Sequence, residues 1–189
     1  MCTANQCRSP MAEGLLRRRL EKLHPDVRVS SAGEMPGGVP AARGSLRAMA
    51  SRGIDLSMHR SRRFTPEDLG AADLVLGMAR RHVREAVLAC PDAWPRTFTL
   101  KELVRRGRAT GPRRPGQSFD EWLRRVHLGR RTTDLLGDDA ADDVADPIGG
   151  PHHRYAVTAD ELEELIDELV GLAFASAAPS VGAATTRKG

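Results

Sequence analysis

Cys2-Thr3-Ala4-Asn5-Gln6-Cys7-Arg8-Ser9-Pro10 opens this chain with a cysteine, five residues, an arginine, a serine and a proline. Five residues are enough to curl backbone N–H groups around one tetrahedral oxyanion. The arginine closing the curl can hold two of its oxygens in a bidentate fork. Proline suits the first turn of a helix, and a helix starting at Pro10 aims its positive end at the same point. A cysteine in that field is favoured as thiolate, the form that acts as nucleophile. The stretch predicts a phosphate cradle with Cys2 as the attacking atom and Arg8 as its charged clamp.

Composition sets the setting. At 189 residues, one domain is expected over 1–173, with a divergent insertion at about 104–143 and a disordered tail at 174–189. The 40% hydrophobic and 29% charged residues suit a soluble globular chain with a real core. No apolar run has the length of a membrane span and no signal peptide precedes Cys2, so neither membrane nor secretion is expected. Three cysteines cannot form a paired framework, which predicts a reducing, cytoplasmic location and leaves a reactive thiol open. Of 29 basic residues, 26 are arginine. With no nucleic-acid-binding module beside it, this reads as genomic bias, and nucleic acid is not an expected partner.

Beyond the cradle, periodicity predicts a helix from Pro10 to about His24, capped by Ser9, with Ala12, Leu16, Leu20 and Leu23 inside. Val27–Ser31 reads as a strand and Pro40 to about Arg52 as a helix stopped by Gly53. Asp55 to Arg63 is irregular and contains His59. Thr65-Pro66-Glu67-Asp68 has the form of cap, first residue and acidic first turn of a short helix. A strand over Ala72–Met78, a helix over Arg80–Ala89 and a strand over Thr97–Leu100 follow. Strands alternating with helices imply an α/β fold, a three-layer Rossmann- or flavodoxin-like parallel sheet flanked by helices. Such a fold binds its ligand beyond the carboxyl ends of the strands. Arg105 to Gly116 reads as a mobile basic loop. Phe119, Trp122, Leu123 and Val126 mark an amphipathic helix, and Asp138–Asp143 an acidic linker. Thr158-x-x-Glu161 predicts a capping box ahead of a last helix with Leu162, Leu165, Ile166, Leu169 and Val170 inside.

The chain resembles the low-molecular-weight protein tyrosine phosphatases. The resemblance lies in Cys2-x5-Arg8-Ser9-Pro10 with Met11-Ala12-Glu13-Gly14 behind it, and in the late Asp146-Pro147. Ser31-Ala32-Gly33, Gly53-Ile54-Asp55, His59-Arg60-Ser61 and Ala72–Met78 fall between them in the family's order. It covers roughly 2 to 173, apart from about 104–143. In that family an apolar central strand runs into the phosphate loop. Here that first strand is missing or truncated, and a misplaced start is the expected reason.

The resemblance implies metal-independent, cofactor-free hydrolysis of a phosphotyrosine protein or another aryl phosphate. Cys2 would become a phosphocysteine. The N–H groups of Thr3, Ala4, Asn5, Gln6, Cys7 and Arg8, with the Arg8 guanidinium, would hold the phosphoryl oxygens. Ser9 would hydrogen-bond the thiolate, Asn5 would brace the loop and His59 would support it. Asp146 would serve as general acid and then as base. Cys7 either pairs reversibly with an oxidised Cys2, as the resemblance suggests, or is a small core residue. Ala4 must keep a negative φ where the family often has glycine. Glu34, Met35, Ile148 and Gly149 stand where members acting on phosphotyrosine often carry aromatic residues. Arsenate reduction with a small thiol, and phosphate binding without turnover, stay open as alternatives, and the oligomeric state is unassigned.

Overall fold

The computed structural model describes residues 1–21 and 23–174. Helix α1 spans Arg8–Leu20, α2 Arg43–Ala50 and α3 Pro66–Ala71. Strand β1 covers Val75–Gly77, followed by α4 over Arg80–Ala89 and β2 over Thr97–Thr99. Helices α5 (Leu100–Thr110), α6 (Phe119–His127) and α7 (His152–Ala173) complete it.

The sheet is wholly parallel at its centre. Val75, Leu76 and Gly77 pair with Thr97, Phe98 and Thr99. On the other side of β1, the Met1 amino group donates to the Leu76 carbonyl, and Met78 N donates to Met1 O at 3.0 Å. Cys2 then pairs in parallel with Gly33, and Gly33 with Arg63. The order is therefore β2, β1, Met1–Cys2, Gly33, Arg63, and two residues alone fill the central position. Cys2 thus stands at the carboxyl end of the central strand, facing the mouth where α/β sheets bind ligands.

Helices cover both faces. Helix α7 packs against α1, α2 and α5, and this side holds the larger core of Met11, Leu15, Met49, Phe98, Leu103, Ile166 and their neighbours. On the opposite face α3 and α4 enclose Leu69, Val75, Ala86 and Ala93. Val75 and Leu76 point to opposite cores, as alternation along a strand requires. The expected three-layer α/β fold is present.

Several boundaries move. Helix α1 begins at Arg8 and ends at Leu20; Ser9 lies inside it rather than capping it, and no side chain caps this end. Its buried stripe is Met11, Leu15 and Leu20, while Leu23 is exposed. Val27–Ser31 forms no strand among the described residues, because Cys2 is the single central-strand residue beside this segment. The arginine-rich stretch after 104 is not a loop: α5 runs to Thr110. Its arginines face outward while Leu100, Leu103, Val104 and Gly107 face inward. Gly107 acts as a close-packing residue, since a Cβ there would sit 3.1 Å from Leu172 and 3.3 Å from the Trp122 ring. The chain turns only at Gly111, with φ +84.

Thr65 and Ser118 form the capping boxes of α3 and α6, with Asp68 and Glu121 as their partners. The Thr158 box is absent: α7 has already begun at His152, and the Thr158 hydroxyl donates to Arg154 O at 2.9 Å. Phe174, assigned to the tail, packs against Phe119 with ring centroids 5.2 Å apart. The remainder of the expected tail, 175–189, lies outside the described residues.

Candidate active site

The cradle is built around Asn5. It is fully buried and is the one non-glycine residue with a positive φ, +53, among the described residues. Asparagine tolerates this left-handed conformation better than most side chains. Ala4 is spared it, as its side chain requires. Arg62 N donates to Asn5 Oδ1 at 3.0 Å, which fixes the orientation of the amide, because a backbone N–H can only donate. The Asn5 Nδ2 group then donates to Ser9 Oγ at 2.9 Å and to Ser31 Oγ at 2.8 Å. Ser31 in turn donates to Glu13 at 2.6 Å. His59 Nε2 lies 2.7 Å from the Asn5 carbonyl and must carry its proton there.

This chain of bonds sets the direction of the last one. Ser9 Oγ is 3.0 Å from Cys2 Sγ. Ser9 accepts from Asn5 and, among the described residues, has no acceptor for its one proton other than the sulfur, so its O–H points there. Both Cys2 and Ser9 are buried.

Gly33 lets the cradle close. A Cβ there would meet Thr3 O at 2.7 Å, Asn5 N at 2.8 Å and Cys2 O at 2.9 Å. Outward-facing carbonyls anchor the loop: Thr3 O accepts from Glu34 N at 2.8 Å and Met35 N at 3.0 Å, and Gln6 O accepts from Ala42 N at 2.9 Å. The N–H groups of Thr3 to Ser9, by contrast, donate in none of the hydrogen bonds among the described residues. Carbonyls tied outward and N–H groups left free is the polarity an oxyanion requires.

Arg8 is buried and spans the cradle. Its Nη1 donates to Val144 O at 3.1 Å and its Nη2 to Asp146 Oδ2 at 2.5 Å, while its buried Nε has no partner among the described residues. Asp146, 138 positions downstream, is thereby brought to the rim. Its other oxygen accepts from Ile148 N at 3.2 Å. Nine of the ten residues singled out from sequence therefore share one location: Cys2 to Ser9 as loop and helix start, and His59 against Asn5. Asp146 joins them through Arg8. Cys7 faces the core beside Ser45 and Tyr155; burial pushes its thiol up to about 11, with partial relief from Ser45.

Sequence reading missed a second layer. Arg81 donates to Thr3 Oγ1, and His82 Nε2 lies 3.2 Å from the same oxygen. His82 is fully buried, and desolvation together with the nearby Arg8 charge lowers it to about 2, so it is neutral under ordinary conditions. The signal was thin, an Arg-His pair opening a helix after a buried strand. Ser31 and Arg62 were also unrecognised as partners of Asn5, since such links join segments distant in sequence.

A buried thiol beside a hydroxyl, a loop of N–H groups left free, a guanidinium and a carboxylate at the rim make a setting suited to a phosphoryl group. The family profile described as low molecular weight phosphotyrosine protein phosphatase matches residues 1–111. A protein-arginine-phosphatase of Geobacillus stearothermophilus is 34% identical over 170 residues, covering 89% of this chain and 90% of that protein. A probable low molecular weight protein-tyrosine-phosphatase of Ralstonia solanacearum is 35% identical over 130 residues, covering 68% and 87%. The crystal structure of the low molecular weight protein tyrosine phosphatase from T. tengcongensis superposes with a TM-score of 0.67 at 35% identity, over 90% of this chain and 94% of that one. The chain belongs to the low molecular weight phosphotyrosine protein phosphatase family, and is a phosphatase.

Proposed function

We propose that this chain dephosphorylates protein side chains without a metal ion, through a phosphocysteine on Cys2. The thiolate attacks phosphorus in line, and the bond from phosphorus to the leaving group breaks as Asp146 hands that group a proton. The N–H groups of Thr3 to Arg8 and the Arg8 guanidinium hold the three equatorial oxygens as charge spreads over them. An incoming phosphoryl group takes over donors of Arg8 that now engage Asp146 and Val144. Asp146 then removes a proton from water, which attacks phosphorus, and the S–P bond breaks with Ser9 O–H donating to the departing thiolate. The Asn5–Ser9–Cys2 relay carries this reading, because it commits the only hydroxyl proton of Ser9 to the sulfur.

Phosphotyrosine is the first substrate class, in keeping with the family. Phosphoarginine is the second, supported by the protein-arginine-phosphatase match over 89% of the chain, an extent equalled by the 90% shared with the T. tengcongensis tyrosine phosphatase. The rim residues Glu34, Met35 and Ile148 also supply no aromatic wall for a phenol ring. Residues 1–173 fit a single domain, since α7 returns to pack on α1 and α2. The three free cysteines suit a cytoplasmic setting. Many arginines are engaged in ion pairs, such as Arg18 and Arg52 with Glu163 and Arg108 with Glu168, which supports compositional bias over a nucleic-acid surface.

Hydrolysis of p-nitrophenyl phosphate in the presence of a chelator tests the chemistry. Cys2→Ser is expected to abolish it, and full activity in that variant would overturn the mechanism. Matched phosphotyrosyl and phosphoarginyl peptides of one sequence, compared by kcat/KM, separate the two substrate readings.

A further inference from the structure

The segment carrying Asp146 is held in place by a cluster of ion pairs at the start of α4. Arg80 Nε donates to Asp142 Oδ2 at 2.8 Å, and its Nη2 donates to Asp139 Oδ2 at 2.8 Å. Its backbone N–H donates to Asp143 Oδ1 at 2.8 Å. On the far side, Arg105 from α5 donates to Asp142 Oδ1 at 2.6 Å. Asp142 is thus gripped through both oxygens by guanidiniums from two helices, and its side chain is 5% exposed. Burial alone would raise its carboxyl, but Arg105 and Arg80 overcome this and hold it below the usual carboxylate range. Two residues on, Val144 N donates to Met78 O at 2.8 Å, and Val144 O accepts from Arg8. Asp146 follows after one further residue. The expected acidic linker is therefore a fastened strap, and the arginine-rich stretch supplies one of its fasteners.

We propose that Arg80, Asp142 and Arg105 form a clamp that positions Asp146, and that this clamp governs leaving-group protonation while leaving nucleophilic attack by Cys2 untouched. The proposal rests on Asp146 being the general acid. None of the three residues is placed to touch substrate; they are positioning residues. Their effect is directed at Asp146 because the cradle is anchored separately, through Asn5, Gly33 and Ala42, and Val144, whose carbonyl Arg8 engages, is tied in its own right to Met78 O. A misplacement of about 1 Å in a catalytic group can cost on the order of 100-fold in rate.

The experiment measures kcat/KM for phenyl phosphate, a poor leaving group, and 2,4-dinitrophenyl phosphate, which leaves without help. Arg80→Met is expected to slow the first roughly 10- to 100-fold and the second less than about 2-fold. Arg105→Gln, a change at a half-exposed side chain that leaves the core intact, is expected to give the same selectivity at smaller amplitude. In the Asp146→Asn background neither substitution should add further selectivity. Equal losses on both substrates, or no loss on either, would overturn the clamp. If Asp146→Asn shows the selectivity and the clamp variants do not, the clamp alone fails. If Asp146→Asn shows none, the acid assignment fails and the clamp falls with it.

Discussion

Asn5 shows how much one side chain can settle. It supplies a left-handed backbone turn, directs Ser9 toward sulfur, ties Ser31 to Glu13 and accepts from Arg62, all from within the core. Two variants separate these duties. Asn5→Gly keeps backbone freedom but loses the amide, so kcat for p-nitrophenyl phosphate is expected to fall about 100-fold, the scale of losing one transition-state donor. Asn5→Ala should lose that activity and, in addition, about 1 kcal/mol of stability, because Cβ crowds the left-handed region. Equal stability of the two variants in urea unfolding would contradict the role given to φ. The Cys2–x5–Arg8–Ser9 spacing made the cradle legible in the sequence. The partners of Asn5 were not, because a hydrogen bond between Asn5 and Arg62 leaves no local pattern.

At the scale of elements, the α5–α6 arm was the least legible part of the chain. Its arginines masked a helical stripe, and Gly107, inside the stretch read as a loop, is a contact point. What docks the arm is Arg130, whose side chain is almost entirely buried. It holds Glu102 in a two-pronged pair, Nε to Oε1 at 2.7 Å and Nη2 to Oε2 at 2.9 Å. Its guanidinium lies 3.9 Å from the centroids of both the Trp94 and Phe98 rings. Charge pairing and cation–π attraction thereby act on one group. Glu102→Ala strands the Arg130 charge among these rings and is expected to cost about 3–5 kcal/mol in chemical denaturation. An exposed pair such as Arg124 with Asp120 should contribute less than about 1 kcal/mol on the same assay. Sequence could mark the aromatic face of α6 but not its partner, since nothing local sets Arg130 apart from the other arginines among 26.

For the whole molecule, alternation of buried strands and helices was enough to give the layers, while strand lengths depended on which neighbours exist. Val27–Ser31 has strand-like residues but no ladder, so pairing outweighs propensity there. The same global packing places His82 beneath the cradle, and this has a consequence for acid stability. An unfolded chain takes up a proton at this histidine near its ordinary 6.5, whereas the folded one stays neutral down to about 2. Acid therefore favours unfolding, by up to about 1.4 kcal/mol for each pH unit below 6.5. Denaturant titrations at pH 7, 6 and 5 should show this slope, and His82→Gln should flatten it. An unchanged slope in the variant would refute the assignment.

The position of the arm also decides what light can report. The chain has two tryptophans, and both belong to the docking of α6: Trp122 is fully buried and bonded to Gly111 O, and Trp94 lies under Arg130. Neither indole is among the residues that form the cradle or hold Asp146. Tryptophan emission, excited apart from Tyr155, is thus a reporter of whether the arm is seated and is blind to phosphate at Cys2. A ligand titration followed by emission would stay flat while catalysis is inhibited, whereas release of the arm would appear as a red shift with the cradle still occupied.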